Sequence, residues 1–230
     1  MTTIADNIAQ VRSRIHAAEQ AAQRAGHSVQ LLAVSKTKPA QALREAYAAG
    51  LRDFGENYLQ EALGKQAELT DLPLIWHFIG PIQSNKTRAI AEHFDWVHSV
   101  DRLKIAQRLS EQRPADLPPL NICIQVNVSG EASKSGCTPA DLPALASAIS
   151  ALPRLTLRGL MAIPEPTDDR SEQDAAFAAV QRLQASLDLP MDTLSMGMSH
   201  DLESAIAQGA TWVRIGTALF GARDYGQAPS

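Results

Sequence analysis

Apolar residues recur at helical spacing near the start of the chain. Side chains three or four positions apart share one face of an α-helix, and a glycine after the last of them is a common stop signal. The pattern predicts an amphipathic helix over residues 4–25, ended by a glycine. Its apolar face is formed by Ile4, Ile8, Val11 and Ile15.

Beyond this helix, short apolar runs alternate with longer segments of helix-like composition. Several of the runs are apolar throughout, which is typical of parallel strands that are covered on both faces. The predicted strands are 31–36, 52–55, 74–80, 95–100, 121–128, 154–161, 192–197 and 211–216. The predicted helices between them are 40–49, 57–68, 85–92, 102–112, 140–151, 171–187 and 199–208.

The alternation of eight strands with helices favours a (β/α)8 barrel, or TIM barrel, to which the N-terminal helix is an addition. The alternative is a doubly wound open sheet. The first strand is not followed by the G-x-G-x-x-G turn that such sheets use for dinucleotides, and this disfavours the alternative. We expect a single domain over residues 1–230.

Composition narrows the class of partner. The chain has 230 residues, 45% apolar and 20% charged, with a net charge of −4 and no basic stripe, so nucleic acid is not an expected partner. No apolar run approaches the roughly 18 residues of a membrane span. Cys123 and Cys137 lack metal-ligand spacing, and we expect no metal site and a reducing, cytoplasmic location.

In a barrel of this type the functional site lies where the strands end at their carboxyl side. The loops after the seventh and eighth predicted strands place Ser199, Gly216 and Thr217 at that edge. These two loops form the common phosphate site of such barrels, and serine and threonine hydroxyls add donors to the backbone N–H groups. Ordinary turn chemistry is the alternative reading, because serine caps many helices.

Two lysines follow the first predicted strand. Lys36 stands at its end, where partial burial would lower the pKa of an amine and favour imine formation with a carbonyl compound. Lys38 directly precedes Pro39 and belongs to the turn that leads into the next helix. We favour Lys36 over Lys38 as the reactive amine. A solvated loop charge remains open for either residue.

Two further polar residues lie inside predicted strands. Arg214 stands between Val213 and Ile215, and a buried arginine requires a partner, either a carboxylate or a ligand acceptor. His77 lies in the third strand, where a satisfied core histidine and a general base are both open.

Six motifs together resemble the pyridoxal phosphate homeostasis protein family, whose members are single-domain relatives of the alanine racemase N-terminal barrel. The motifs are AVSKTKP, FGENYLQEA, WHFIGPIQSNK, LRGLMAIPEP, LSMGMSHDLESAI and VRIGTALFG, and the resemblance runs from about residue 28 to 223. It implies pyridoxal 5′-phosphate bound as an imine on Lys36. It implies phosphate contacts from Ser199, Gly216 and Thr217. It places Arg214 at the pyridine nitrogen, with Asn57 and His77 near the ring.

The resemblance also implies a function. An arginine at the pyridine nitrogen leaves that nitrogen unprotonated and makes the ring a weaker electron sink, which suits holding the cofactor. We expect a protein of vitamin B6 homeostasis that stores, buffers or delivers the cofactor without catalytic turnover. Apo enzymes that use pyridoxal phosphate are the candidate partners, and we favour a monomer over an oligomer.

Two enzymatic alternatives stay open. A pyridoxal phosphate-dependent amino-acid racemase would use the same lysine, but alanine racemases also need a second domain, and the chain ends about fifteen residues past the eighth predicted strand. A cofactor-free Schiff-base aldolase on a phosphorylated sugar would use the same lysine and phosphate loops, but the set of motifs disfavours it.

Overall fold

A computed structural model describes residues 1–132 and 135–222 of the chain. Within these residues, eight parallel strands close into a barrel, each paired with the next in chain order and the last with the first. The predicted (β/α)8 barrel with an N-terminal helix is confirmed. That residues 1–230 form a single domain stays a prediction.

The elements follow one another as strand and helix around the barrel. The strands are β1 (Gln30–Val34), β2 (Asp53–Glu56), β3 (Ile75–Phe78), β4 (Trp96–Val100), β5 (Leu120–Gln125), β6 (Leu155–Met161), β7 (Thr193–Ser195) and β8 (Trp212–Ile215). The helices are α1 (Ile4–Ala21), α2 (Ala40–Ala48), α3 (Leu59–Glu68), α4 (Thr87–His93), α5 (Leu103–Gln112), α6 (Leu142–Ser150), α7 (Arg170–Ser186), α8 (Leu202–Ala207) and α9 (Thr217–Phe220). A short 3₁₀ turn, Ser84–Lys86, precedes α4.

Apolar residues fill two regions, one between strands and helices and one inside the barrel. The outer region is the main core and draws on nearly every element. The inner region is smaller and consists of Leu32, Ile79, Trp96, Cys123, Met161 and Trp212. Polar residues share the barrel interior with this cluster, because strand residues alternate between the two faces of the sheet. The interior polar side chains discussed below are His77, His98, Ser195 and Arg214, all under 5% exposed.

Helix α1 covers the outside of the barrel at the seam between the last and first strands. It packs against α8, α9 and α2. In a regular (β/α)8 barrel the helix after the eighth strand lies there, but α9 after β8 has only four residues. The N-terminal helix α1 therefore takes the place of the long helix that follows the eighth strand in a regular barrel.

The start of α8 differs from the sequence-based prediction. The sequence predicts a helix over 199–208, but α8 begins at Leu202 and its N-cap is Asp201. The Asp201 carboxylate accepts a hydrogen bond from the Met198 N–H at 2.6 Å, and the Asp201 N–H donates to the Met198 carbonyl. These two bonds close a turn ahead of the helix, and Ser199 lies within that turn.

Three findings bear on the classes of partner considered from the sequence. Within residues 1–132 and 135–222, no helix is long and apolar enough to cross a membrane. The same residues contain no group of three or more metal-ligating side chains. Cys123 and Cys137 are both free and buried, and burial raises the pKa of the Cys123 thiol to about 12.

Candidate functional site

A cavity of about 280 Å³ opens at the carboxyl ends of the strands. Its wall is built by residues that follow β1, β2, β3, β6, β7 and β8, together with Val34 and Arg214 on the strands themselves. Sites of barrel proteins lie at this end because the loops after the strands meet there. The cavity is the candidate functional site.

Six of the seven residues predicted as cofactor contacts line this one cavity. They are Lys36, Asn57, Ser199, Arg214, Gly216 and Thr217. They come from four separate parts of the chain, so only the closure of the barrel brings them together. The seventh, His77, does not line the cavity. Its side chain is fully buried deeper in the barrel, against the rings of Trp96 and Trp212.

Lys36 lies in a tight turn and not at the end of the first strand, which stops at Val34. The next residue, Thr37, has a φ of 65°. A β-branched residue rarely adopts this left-handed conformation because its side chain crowds the backbone. Strain of this kind persists only where the surroundings fix the backbone, and it is common at functional sites.

A buried ammonium group fixes the Lys36 turn on both sides. Lys65 donates to the Ser35 carbonyl, the Glu56 carboxylate and the Glu61 carboxylate, each at 2.7 Å. Glu61 in turn accepts from the Thr37 N–H at 2.5 Å. Burial raises the pKa of the Glu56 carboxyl, although Lys65 opposes the shift. The residues before and after Lys36 are thus both tied to α3.

Lys38 also lines the cavity, at its mouth. Its ammonium donates to the Ala222 carbonyl at 2.7 Å. This bond connects the turn after β1 with the segment that follows α9. Because β8 is the neighbour of β1 in the barrel, this bond joins two adjacent loops at one side of the cavity.

Asn57 is held close to the backbone of a neighbouring loop. A side chain at Gly80 would meet the Asn57 carbonyl at 2.4 Å, so only glycine permits this packing. The Asn57 Oδ1 atom is buried and has no hydrogen-bond partner. A buried polar atom without a partner costs free energy. Because Asn57 lines the cavity, a ligand with a donor group can satisfy it.

Arg214 forms the polar floor of the cavity. It is 4% exposed, and its guanidinium donates to the Ser195 hydroxyl at 2.8 Å and to the Ala162 carbonyl at 2.9 Å. Both acceptors are neutral. Burial lowers the pKa of Arg214 to about 10, with Asp201 opposing the shift. The guanidinium therefore stays charged at neutral pH and presents a cation to a ligand.

The turns after β7 and β8 contribute Ser199, Gly216 and Thr217 to the wall of the cavity. Gly197 shapes the first turn with a φ of 101°, and a side chain there would meet Ala205 Cβ at 2.6 Å. Helix α1 supports both turns from outside. Arg14 donates to the Ser199 carbonyl in the turn after β7 at 2.9 Å, and Asn7 donates to the Leu219 carbonyl in α9, directly after the turn that follows β8, at 2.8 Å.

Several polar residues around the site had no functional assignment from the sequence. Three of them hold residues of the cavity wall or their neighbours in the chain through hydrogen bonds: Ser195 to Arg214, Lys65 to Ser35 and Arg14 to Ser199. The partners are distant in sequence, so no local pattern predicts these contacts. His98 lies in the predicted strand 95–100, as His77 lies in the predicted strand 74–80. Its role as a partner of His77 depends on the register of β3 and β4.

The cavity combines an amine, a buried guanidinium and hydroxyl-bearing turns. An amine reacts with a carbonyl carbon, and the turns suit an anion, so the set suits a phosphorylated carbonyl compound. A family model described as alanine racemase, N-terminal domain, matches residues 4–224. The chain is therefore a barrel of that class.

Individual relatives define the family more closely. The pyridoxal phosphate homeostasis protein of Pseudomonas aeruginosa is 76% identical over 230 residues, which is 100% of both chains. The protein of the same name from Vibrio cholerae is 58% identical and covers 98% of both chains. The chain belongs to the pyridoxal phosphate homeostasis protein family, and the resemblance seen in the motifs is confirmed.

A solved structure shows the same fold at high identity. PipY of Synechococcus elongatus, with pyridoxal phosphate bound, superposes with a TM-score of 0.84 at 46% identity. The match covers 95% of this chain and 100% of PipY.

Proposed function

We propose that the cavity binds pyridoxal 5′-phosphate, held as an imine on Lys36, and that the protein serves homeostasis of this cofactor. The observation that carries the proposal is the convergence of Lys36, Arg214 and the turn at Ser199 on one cavity. The relatives named above carry a name that describes homeostasis and not a catalysed reaction, and PipY binds the same cofactor.

The residues of the cavity fit the chemical groups of the cofactor. Lys36 supplies the amine for its aldehyde, and Ser199, Gly216 and Thr217 suit its phosphate. Asn57 offers an unpartnered acceptor for the ring hydroxyl. The placement of His77 does not support a direct contact with the ring, because that side chain is enclosed by Trp96 and Trp212.

Arg214 decides how reactive the bound cofactor would be. Pyridoxal phosphate supplies an electron sink when its ring nitrogen is protonated. A guanidinium with a pKa of about 10 keeps its proton at neutral pH. It would donate a hydrogen bond to the ring nitrogen and leave that nitrogen unprotonated. Arg214 therefore favours binding of the cofactor without catalysis over strong carbanion chemistry.

We further propose storage, buffering or delivery to apo enzymes that use pyridoxal phosphate, in the cytoplasm and as a monomer. Two buried free cysteines support a reducing compartment. The mouth of the cavity lies among loops and beside the partly exposed Ile163, a position from which the cofactor can leave.

A transfer experiment tests the proposed role. The protein loaded with cofactor is mixed with an apo enzyme in the presence of a trap for free pyridoxal phosphate, and recovery of enzyme activity is timed. Recovery faster than the measured release into the trap supports delivery. Recovery no faster than release restricts the role to storage and buffering, and a protein that cannot be loaded at all contradicts the proposal.

An amino-acid racemase is the second candidate, favoured by the match to the alanine racemase N-terminal model. The test is incubation of the loaded protein with single-enantiomer amino acids, followed by chiral chromatography. Racemisation that disappears in Lys36→Ala would refute the non-catalytic proposal. An unchanged enantiomer over many hours supports it.

A further inference from the structure

A continuous line of hydrogen bonds crosses the barrel interior from the floor of the cavity to the opposite end. It starts at Arg214, passes through the Ser195 hydroxyl and two histidine rings, and ends at the Asp53 carboxylate on the first residue of β2. The successive distances are 2.8, 2.8, 2.8 and 2.9 Å. We call Ser195, His98, His77 and Asp53 the histidine network.

The two ends of the network fix the direction of every hydrogen bond in it. A carboxylate only accepts, so His77 Nε2 carries the proton that is donated to Asp53. A neutral His77 then accepts at Nδ1 from His98 Nε2–H. A neutral His98 accepts at Nδ1 from the Ser195 hydroxyl, and the Ser195 oxygen accepts from the guanidinium. One tautomer of each ring satisfies all four bonds.

The surroundings keep both rings neutral. Burial lowers the pKa of His98 well below its ordinary value, and the neighbouring His77 and Arg214 add to that shift. Burial also lowers the pKa of His77, although Asp53 opposes the shift. Trp96 stacks on the His77 ring at 5.4 Å, and Trp212 meets it edge-on at 4.9 Å. Hydrogen bonds in such an enclosed environment are stronger and reinforce one another.

We propose that the histidine network positions Arg214 at the floor of the cavity and stabilises its charge. The Ser195 O–H and the two ring N–H groups all point away from the guanidinium. The hydroxyl and both rings therefore present the negative ends of their dipoles toward that cation. A carboxylate stands at the far end, and its side chain is 22% exposed. The orientation of Arg214 toward a ring nitrogen, which rests on the proposed function, thus depends on residues that touch no ligand.

Asp53 connects the network with a second cavity. A cavity of about 680 Å³ at the amino ends of the strands is lined in part by Asp53, Arg52 and Gln30. The candidate site and this second cavity are thus joined by one line of hydrogen bonds. A substitution of Asp53 should therefore change the environment of Arg214, at the other end of the barrel.

Nuclear magnetic resonance of the ¹⁵N-labelled protein, without added cofactor, tests the network itself. Long-range ¹H–¹⁵N correlation at neutral pH should show neutral, Nε2-protonated rings for His77 and His98. Asp53→Asn should shift the Nε2 protons of both rings, because a weaker acceptor at one end weakens each bond in line. Asp116→Asn, which removes an exposed carboxylate from the loop before β5, is the matched control and should shift neither.

A charged ring, an Nδ1-protonated ring, or an effect of Asp53→Asn confined to His77 would overturn the proposal. A second measurement addresses Arg214 directly. Ser195→Ala should shift the absorption band of the bound cofactor and weaken its retention on dialysis, whereas Ser195→Thr should restore both. An unchanged band in a folded Ser195→Ala variant would also overturn it. Failure of the wild-type protein to bind the cofactor would instead refute the proposed function and leave the resonance test intact.

Discussion

At the scale of single residues, the turn at Lys36 carries the least expected geometry in the molecule. The sequence places a lysine after an apolar strand, and this was sufficient to mark Lys36 as a candidate amine. The strained φ of Thr37 and its anchoring by Glu61 were not predictable, because they depend on α3 packing against the turn. The same holds for Arg214, whose burial was predictable and whose partners were not.

Removing the two hydroxyls of the proposed phosphate site should weaken retention of the cofactor. A hydrogen bond to a charged group contributes about 1.5–3 kcal/mol, so Ser199→Ala with Thr217→Val, which removes two such bonds, should raise the dissociation constant about a hundredfold or more. Equilibrium dialysis measures the change. The exposed pair Ser150→Ala with Thr156→Val is the control and should leave the constant unaltered. Equal retention in both double variants would remove these hydroxyls from the phosphate site.

Buried histidines make stability depend on pH. In the unfolded chain a histidine takes up a proton as the pH falls below about 6.5, whereas His77 and His98 have lowered pKa values in the folded protein. The unfolded state then binds more protons than the folded state. The contribution of these two residues is complete above that pH and is lost as the pH falls toward their lowered pKa values.

His98→Gln should therefore make the free energy of unfolding less sensitive to acid. Its slope against pH should fall by up to about 1.4 kcal/mol per pH unit between about pH 6 and 5, even though the variant is less stable at neutral pH. Urea unfolding at a series of pH values gives the slopes. The exposed His93→Gln should keep the wild-type slope, and an identical slope in His98→Gln would show that the buried ring takes up its proton in the folded state.

At the scale of elements, α1 has a role that its sequence did not reveal. The apolar spacing of Ile8, Val11 and Ile15 predicts a buried face but not the surface that receives it. The structure places that face over the seam between β8 and β1, where a four-residue helix leaves room. Strand and helix order was predictable because each element carries its own periodicity, whereas the partner of α1 lies more than 180 residues away in sequence.

Loss of the Arg14 side chain should loosen the cavity from outside. Arg14→Met removes the bond to the Ser199 carbonyl and the ion pair with Glu203, so the turn after β7 becomes less ordered. The cofactor dissociation constant should rise about threefold to tenfold, equivalent to about 0.7–1.4 kcal/mol. Arg44→Met, which breaks an ion pair with Asp71 at the same 38% exposure of the arginine, is the control for fluorescence titration. Equal affinities in the two variants would contradict support by α1.

At the scale of the whole molecule, closure of the barrel turns scattered residues into one site. The positions of the motifs predicted which side chains form the site. The rule that parallel strands end at one rim of the barrel predicted that the site lies at that rim. How deep each residue lies in the barrel was not predictable. His77 lies inside the barrel, whereas Lys36 lies at its rim. That difference follows from where each residue falls in the register of the closed sheet.

Binding of the cofactor should stabilise the folded protein. A ligand that binds only the folded state adds about 2.7 kcal/mol at a concentration a hundredfold above its dissociation constant. Thermal unfolding should thus shift to higher temperature with pyridoxal phosphate and shift much less in Lys36→Ala. Pyridoxine, which lacks the aldehyde and the phosphate, is the control ligand. Equal shifts with both ligands would show that neither group is recognised.

The central claim is that one lysine in this cavity carries the cofactor, and borohydride reduction followed by peptide mass mapping tests it most directly. Reduction makes the linkage permanent, so the modified residue can be read from the fragment masses. We predict a pyridoxyl phosphate adduct on Lys36 that is absent from Lys36→Ala and retained in Lys38→Ala. An adduct on Lys38 in the wild-type protein, or a peptide containing Lys36 that stays unmodified in the coloured protein, would contradict the account.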